Sequence, residues 1–305
     1  MAPSFLSFVS LYGIYLRRCL TASGLSSKSI DIDDDTTIHL WSPNPDQKPP
    51  HHQQKPALLL LHGFGPSAIW QWRRQVQFFA SSFDLYVPDL VFFGGSTTES
   101  KERSEVFQAV SMAKLMEKLG VKKYHVMGTS YGGFVAYHMA KLWPDTVEKA
   151  VIASSGVNMR KADNTALLER AKVENIEEIM LPETATQIRT LSRLAVSWRF
   201  NMVPDFFWND ILNQLYSENR QQKMELLKGI TLAVTDDSFK ITPLQQDVLI
   251  LWGDRDQIFP LRMAHELKEL LGKKAKLEII EKASHVPQIE DSAQFNKIVQ
   301  NFLSG

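Results

Sequence analysis

Six apolar runs constrain this chain more than any other feature: ALLLLHG (57–63), DLYVPDL (84–90), YHVMG (124–128), KAVIASSG (149–156), DVLILWG (247–253) and KLEIIE (276–281). Several are apolar at consecutive positions, which alternation between a wet and a dry face does not explain. Such runs fit strands buried on both sides, as in a parallel sheet covered by helices. Helix-like segments separate them, including SAIWQWRRQVQFFASS, SEVFQAVSMAKLMEKLG and FVAYHMAKLW. Strand and helix in alternation predict an α/β fold with a doubly wound, mostly parallel sheet.

At 305 residues the chain has room for one large domain with an insertion. The rhythm stops between residues 159 and 242. Four helix-like segments fill that stretch (ALLERAK, ETATQIRTLSRLAVSW, DFFWNDILNQLY and QQKMELLKGI) with no clear buried strand. The reading is a core of residues 28–158 and 243–305, interrupted by a helical lid at 159–242. KSIDID and TTIHLWS, near the start, form a hairpin joined by the acidic turn Asp31 to Asp35. The proline-rich stretch PNPDQKPPHHQQKP, with His51 and His52, reads as a surface loop.

Residues 1–27 stand apart as an amphipathic segment. The apolar stretch Phe5 to Leu16 is too short to span a bilayer, and its charges, Arg17 and Arg18, follow it rather than precede it as in a secretory signal. Phe5, Phe8, Tyr12, Leu16 and Cys19 recur at helical spacing, so one face should pack on the body of the protein. The alternative is a peripheral membrane contact through residues 5–20. Thirty-four basic residues balance 34 acidic ones, which provides no field for nucleic acid. The single cysteine, Cys19, leaves no intrachain disulfide and fits a reducing, cytoplasmic compartment.

The segment HVMGTSYGGF (125–134) places Ser130 between Gly128 and Gly132, with Gly133 behind, where a strand gives way to a helix. This is the G-x-S-x-G context of a nucleophile elbow, whose sharp turn lifts the hydroxyl clear of the sheet. The next amide, at a helix N-terminus, suits an oxyanion. A serine needs a base, and the base needs an orienting group. His39 and His125 fall in strands, His138 and His265 on helices, and His62 beside a loop glycine. His285, in KASHVPQIE, follows the last strand, where open α/β sheets place their sites. The acid should also follow a strand. Asp254 and Asp256, in GDRDQIFP, both do; Asp254, beside the glycine, suits a turn cap, and either can orient an imidazole.

These segments together resemble the α/β-hydrolases, over roughly residues 28 to 303. LLLLHGFG resembles the family's oxyanion loop, and PDLVFFGGS its D-L-x-G-x-G-x-S segment, with Phe92 at the first glycine. GDRDQIFP resembles G-x-x-D-x-x-x-P, and SHVPQIE resembles G-H-x-x-x-x-E with Ser284 at the glycine. The resemblance implies the order nucleophile, acid, histidine as Ser130, Asp256 and His285. It also implies an oxyanion hole from the amides of Phe64 and Tyr131, and hydrolysis of a small-molecule ester with neither metal nor organic cofactor. Phe93, Phe134, Phe259 and Val286 flank these motifs and, with Trp198 of the lid, suggest an apolar substrate pocket. Arg199 is either a surface arginine or a partner for a substrate carboxylate.

Epoxide hydrolases and haloalkane dehalogenases share this outline but carry aspartate at the position of Ser130. Hydrolases of ring-cleavage products resemble HGFGP (62–66), yet usually have glycine where Ser67 stands and tryptophan where Val286 stands. Carbon–carbon bond hydrolysis is therefore an alternative, as is a hydrolase-derived ligand receptor with slow turnover.

Overall fold

A computed structural model describes residues 7–44, 55–198, 202–231 and 241–305. His51, His52, Phe5, Arg199 and Phe200 lie outside the described residues. Nine strands, among those described, form one sheet: β1 (Leu25–Asp31), β2 (Thr36–Pro43), β3 (Ala57–Leu61), β4 (Asp84–Pro88), β5 (Thr97–Thr98), β6 (Tyr124–Thr129), β7 (Val147–Ala153), β8 (Asp247–Gly253) and β9 (Ala275–Ile280). Their order is β1-β2-β4-β3-β6-β7-β8-β9, with β5 beside β2. From β4 to β9 every pairing is parallel, and β1, β2 and β5 pair antiparallel.

The helices are α1 (Phe8–Ala22), α2 (Ala68–Phe79), α3 (Glu105–Lys118), α4 (Tyr131–Leu142), α5 (Lys161–Ala171), α6 (Glu177–Met180), α7 (Ala185–Ala195), α8 (Asp205–Leu215), α9 (Arg220–Lys228), α10 (Leu261–Leu271), α11 (Pro287–Glu290) and α12 (Ser292–Ser304). The continuous apolar strands now have their reason. Leu59 and Leu61 of β3 face a core shared with α3, α4 and α10. Leu58 and Leu60 face the opposite core, closed by α1, α2 and α12. Successive side chains of a strand point to opposite faces, so a sheet covered on both sides needs both sets apolar.

Helices α5 to α9 stand between β7 and β8 in the chain, with no strand among the described residues of that stretch. The one-turn helices α6 and α11 are too short to show periodicity, and the sequence gives no sign of them.

α1 forms as a helix, capped by Ser7, but it is rotated from the expected orientation. Its buried stripe is Val9, Gly13, Leu16, Cys19 and Leu20, while Phe8 and Tyr12 stand exposed. The segment is apolar on nearly every side, so packing on α2 and α8 selects the inner face. No helix of the described residues is long and apolar enough to cross a membrane.

The chain leaves β3 toward β4 on one side, then returns to β6 on the other. A reversal of this kind opens a crevice at the carboxyl ends of the strands. Phe64 follows β3, Ser130 follows β6, Asp256 follows β8 and His285 follows β9, so all four loops emerge at that edge.

Candidate active site

β6 ends at Thr129 and α4 begins at Tyr131, which leaves Ser130 alone to make the turn, at φ 52° and ψ −120°. A non-glycine residue rarely holds a positive φ, and the strain costs on the order of 1–3 kcal/mol. Three hydrogen bonds hold its backbone there: the Ser130 amide donates to Ala153 O at 2.9 Å, and Ser130 O accepts from the Gly133 amide at 2.9 Å and from Ser155 Oγ at 2.6 Å. The flanking glycines answer to crowding. A Cβ on Gly128 would sit 2.0 Å from the Gly132 carbonyl oxygen, and one on Gly132 would sit 2.2 Å from Leu61 O.

His285 Nε2 lies 3.0 Å from Ser130 Oγ, and its Nδ1 lies 2.9 Å from Asp256 Oδ2. Asp256 has no exposed side-chain surface, and its other oxygen accepts from the amides of Ile258 and Phe259, each at 2.9 Å. The carboxylate is thus anchored to its own turn and directed at one ring nitrogen. A carboxylate at Nδ1 holds the proton on that side and leaves Nε2 free to accept one from the hydroxyl. Asp254 points into solvent, and so the geometry singles out Asp256.

The histidine loop is tied to the helical insertion. The His285 amide donates to Ala195 O at 3.1 Å, and Ser284 Oγ lies within 3.2 Å of Leu194 O and of Arg255 O. Glu290 bridges the two parts, accepting from the Ser284 amide and from the amide and hydroxyl of Ser197. Serine at the position where a glycine is usual therefore adds a side-chain contact to α7.

The remaining described histidines are engaged elsewhere or exposed. His39 sits between Ser27 Oγ and Asp89, His125 faces Glu148, and His138 lies 3.6 Å from Glu105. His265 is exposed on α10. His62 is buried; its Nδ1–H donates to Gly63 O at 2.8 Å and its Nε2 accepts from the Leu90 amide at 2.9 Å. Burial pushes its pKa below the ordinary histidine value.

The loop after β3 packs directly on the serine, since a Cβ on Gly63 would lie 2.9 Å from Ser130 Cβ. Gln71 holds this loop. Its Oε1 accepts from the Gly63 amide at 2.8 Å, and its Nε2 donates to Gly63 O at 3.2 Å and Pro66 O at 3.3 Å. Among the described residues the amides of Phe64 and Tyr131 have no hydrogen-bond partner. Tyr131 opens α4, where the helix dipole favours negative charge. Gln71 escaped the sequence reading because a glutamine on an amphipathic helix looks like a surface residue.

Ser130 and His285 line a cavity of about 600 Å³ with mostly apolar walls. Val286 lines it, as the sequence suggests. Its other walls were not foreseen: Ile188, Leu191 and Ala195 of α7, and Phe207, Ile211 and Leu215 of α8. Both sets recur at helical spacing, a signal that could have identified them.

Four of the expected pocket residues lie elsewhere. Phe93 is fully buried behind the wall, edge-on to Phe64 at 5.2 Å, with the Lys223 ammonium 5.0 Å from its ring centre. Phe134 packs between Tyr131 and Phe259. Phe259 supports the His285 ring from behind, at 5.4 Å, and closes on Gly156. Trp198 is half exposed, on a surface depression with Arg189 and Arg193. Proximity to a motif in the chain puts a side chain near the site but leaves open which side of the wall it occupies.

Among curated proteins, the chain is 25% identical to a 2-hydroxy-6-oxo-6-phenylhexa-2,4-dienoate hydrolase of Burkholderia cepacia, over 82% of this chain and 88% of that protein. It is 26% identical to a monoacylglycerol lipase of Mus musculus, over 82% and 76%. Among solved structures, a bacterial membrane phospholipase A superposes with a TM-score of 0.77 at 22% identity, over 97% of this chain and 90% of that one, a likeness of fold. The family model described as the alpha/beta hydrolase fold matches residues 56–292, which takes in the elbow, the loop after β3, Asp256 and His285. The chain belongs to the α/β-hydrolase fold family, as a hydrolase of that type.

Proposed function

We propose that this protein is a serine esterase that cleaves a carboxylic ester with an apolar acyl or aromatic group, through an acyl-enzyme on Ser130. The observation that carries the reading is the 3.0 Å contact between Ser130 Oγ and His285 Nε2 at the wall of a large apolar cavity. Ser130 Oγ attacks the ester carbonyl as His285 takes its proton, and Asp256 stabilises the imidazolium. The amides of Phe64 and Tyr131 donate to the oxyanion. His285 gives the proton to the leaving alcohol. Water then enters, His285 takes its proton in turn, and attack on the acyl carbon releases the acid and restores Ser130. Helices α5 to α9 act as the lid over the acyl group.

The volume falls in the range of small-molecule sites, and a lining of Leu, Ile and Phe favours a chain of methylenes over a charged group. The mouse relative's name makes monoacylglycerols the first natural esters to try. The name of the Burkholderia relative supports carbon–carbon bond hydrolysis as a second reading.

The test is a panel of p-nitrophenyl esters, monoacylglycerols and 2-hydroxy-6-oxo-6-phenylhexa-2,4-dienoate, with products followed by chromatography over many turnovers. Multiple turnovers on the esters, and labelling of Ser130 by a fluorophosphonate, are expected. Turnover of the dienoate alone would overturn the esterase reading in favour of the second one.

A further inference from the structure

Of the eleven large apolar side chains that stand exposed among the described residues, five lie within eight positions of α1: Phe8, Leu11, Tyr12, Ile14 and Tyr15. Two more, Phe78 on α2 and Phe206 on α8, belong to the helices that pack against α1. Leu11, Ile14, Tyr15 and Arg18 follow one outer stripe, opposite the buried stripe of Val9, Gly13, Leu16 and Leu20. Apolar surface concentrated in this way usually marks a contact with a partner or a membrane.

The charge around the stripe decides between partners. α1 and α2 carry Arg17, Arg18, Arg73 and Arg74 and no acidic residue, in a chain whose charges balance overall. Arg73 lies 5.7 Å from the Tyr15 ring centre, so charge and aromatic surface are interleaved. Of the two acids of α8, Asp205 is paired with Arg189, and Asp210 keeps its charge while accepting from Ser7 Oγ and the Val9 amide, so the arginines of α1 and α2 remain in excess. A second copy of the chain would bring the same positive charge to the contact. The face is also small. A 15-residue helix is roughly 22 Å long and about 10 Å wide, well below the roughly 800 Å² per partner of a stable dimer.

We propose that the outer face of α1 docks this protein on an anionic lipid bilayer, with Leu11, Ile14 and Tyr15 in the interface and Arg18 and Arg73 against the headgroups. α1 then lies in the membrane plane, as amphipathic helices with aromatic and arginine residues do. The docking has a consequence for the cavity. α1 is held to α8 by Ser7 and Val9 on Asp210 and by Ser10 on Gln214, and α8 supplies Phe207, Ile211 and Leu215 to the cavity wall. Binding therefore brings that wall close to the lipid surface.

The test is cosedimentation of the full chain with phosphatidylcholine vesicles, with and without phosphatidylserine. It reads binding alone, so it stands or falls independently of ester hydrolysis. Binding to the phosphatidylserine vesicles is expected, weakened about tenfold or more by Leu11→Glu with Tyr15→Glu and about fivefold by Arg18→Gln. Thermal melting of each variant, unchanged from the parent, confirms folding. Absence of binding to either vesicle, or equal binding by all variants, would overturn the proposal. So would a solution mass of two chains that the double variant reduces to one, because the face would then be a contact between copies.

Discussion

Ser130 Oγ and His285 Nε2 stand 3.0 Å apart across 155 positions of sequence, and a buried carboxylate, Asp256, holds the far side of the imidazole. Ser130→Ala should lower turnover of p-nitrophenyl butyrate by about 10⁴-fold or more while the melting temperature holds. Ser130→Gly should be equally inactive but more stable than Ser130→Ala by about 1 kcal/mol, because glycine accepts the positive φ without strain. Denaturant titration of the two variants checks this difference. Retained turnover in the alanine variant would remove the serine from the mechanism.

Gln71 holds the loop that carries the Phe64 amide, and makes three hydrogen bonds to it. Gln71→Leu keeps the bulk and removes those bonds. In the proposed mechanism the loop amide is needed mainly once the oxyanion forms, so kcat should fall about 10- to 100-fold with KM nearly unchanged. Steady-state kinetics on one ester separate the two parameters. A rise in KM alone would make Gln71 a substrate contact instead.

The apolar cavity predicts a dependence on acyl length. Each methylene buried is worth about 0.8 kcal/mol, so kcat/KM should rise up to about fourfold per carbon until the cavity fills. Leu191→Trp, from the α7 wall, should move the optimum to shorter chains. A flat profile, or one highest on acetate, would show that the acyl group binds elsewhere.

His62 makes stability depend on pH. Its folded pKa is depressed by burial, so below about pH 6.5 the unfolded chain binds a proton there that the folded chain refuses. Its contribution is fully present above that pH. It is lost as the pH falls toward the folded pKa, by up to about 1.4 kcal/mol per pH unit. Urea unfolding between pH 8 and pH 5 measures the slope. In His62→Gln the protein should be less stable at pH 8, and its slope between about pH 6.5 and pH 5 shallower, by at most about one proton.

The elbow shows how much of a site local sequence can carry. Of the three glycines around the serine, Gly128 relieves crowding within its own turn, against Gly132, whereas Gly132 clears Leu61 of β3 and Gly133 clears Ser155 beyond β7, so the motif is local in the chain but part of its reason is tertiary. The order of Ser130, Asp256 and His285 was legible through the family's spacing, which also selects Asp256 over Asp254, and in space the two differ because Asp256 is buried against His285 while Asp254 is exposed. Phe93, Phe134, Phe259 and Trp198 were misplaced for the opposite reason. An aromatic next to a motif can line a cavity or support its wall, and the packing partner decides which.

Strand and helix periodicity and the strand–turn–helix setting of Ser130 are properties of neighbouring residues, because backbone sterics and the alternation of side chains act over a few positions, and the order of Ser130, Asp256 and His285 is written in the chain itself. The sequence alone determined these. The rotation of α1, the reach of Gln71 to the loop after β3, the walls from α7 and α8 and the tie between Glu290 and Ser197 arise where distant segments meet. Only tertiary packing decided them, since several faces of those helices are chemically able to be buried and close packing admits one.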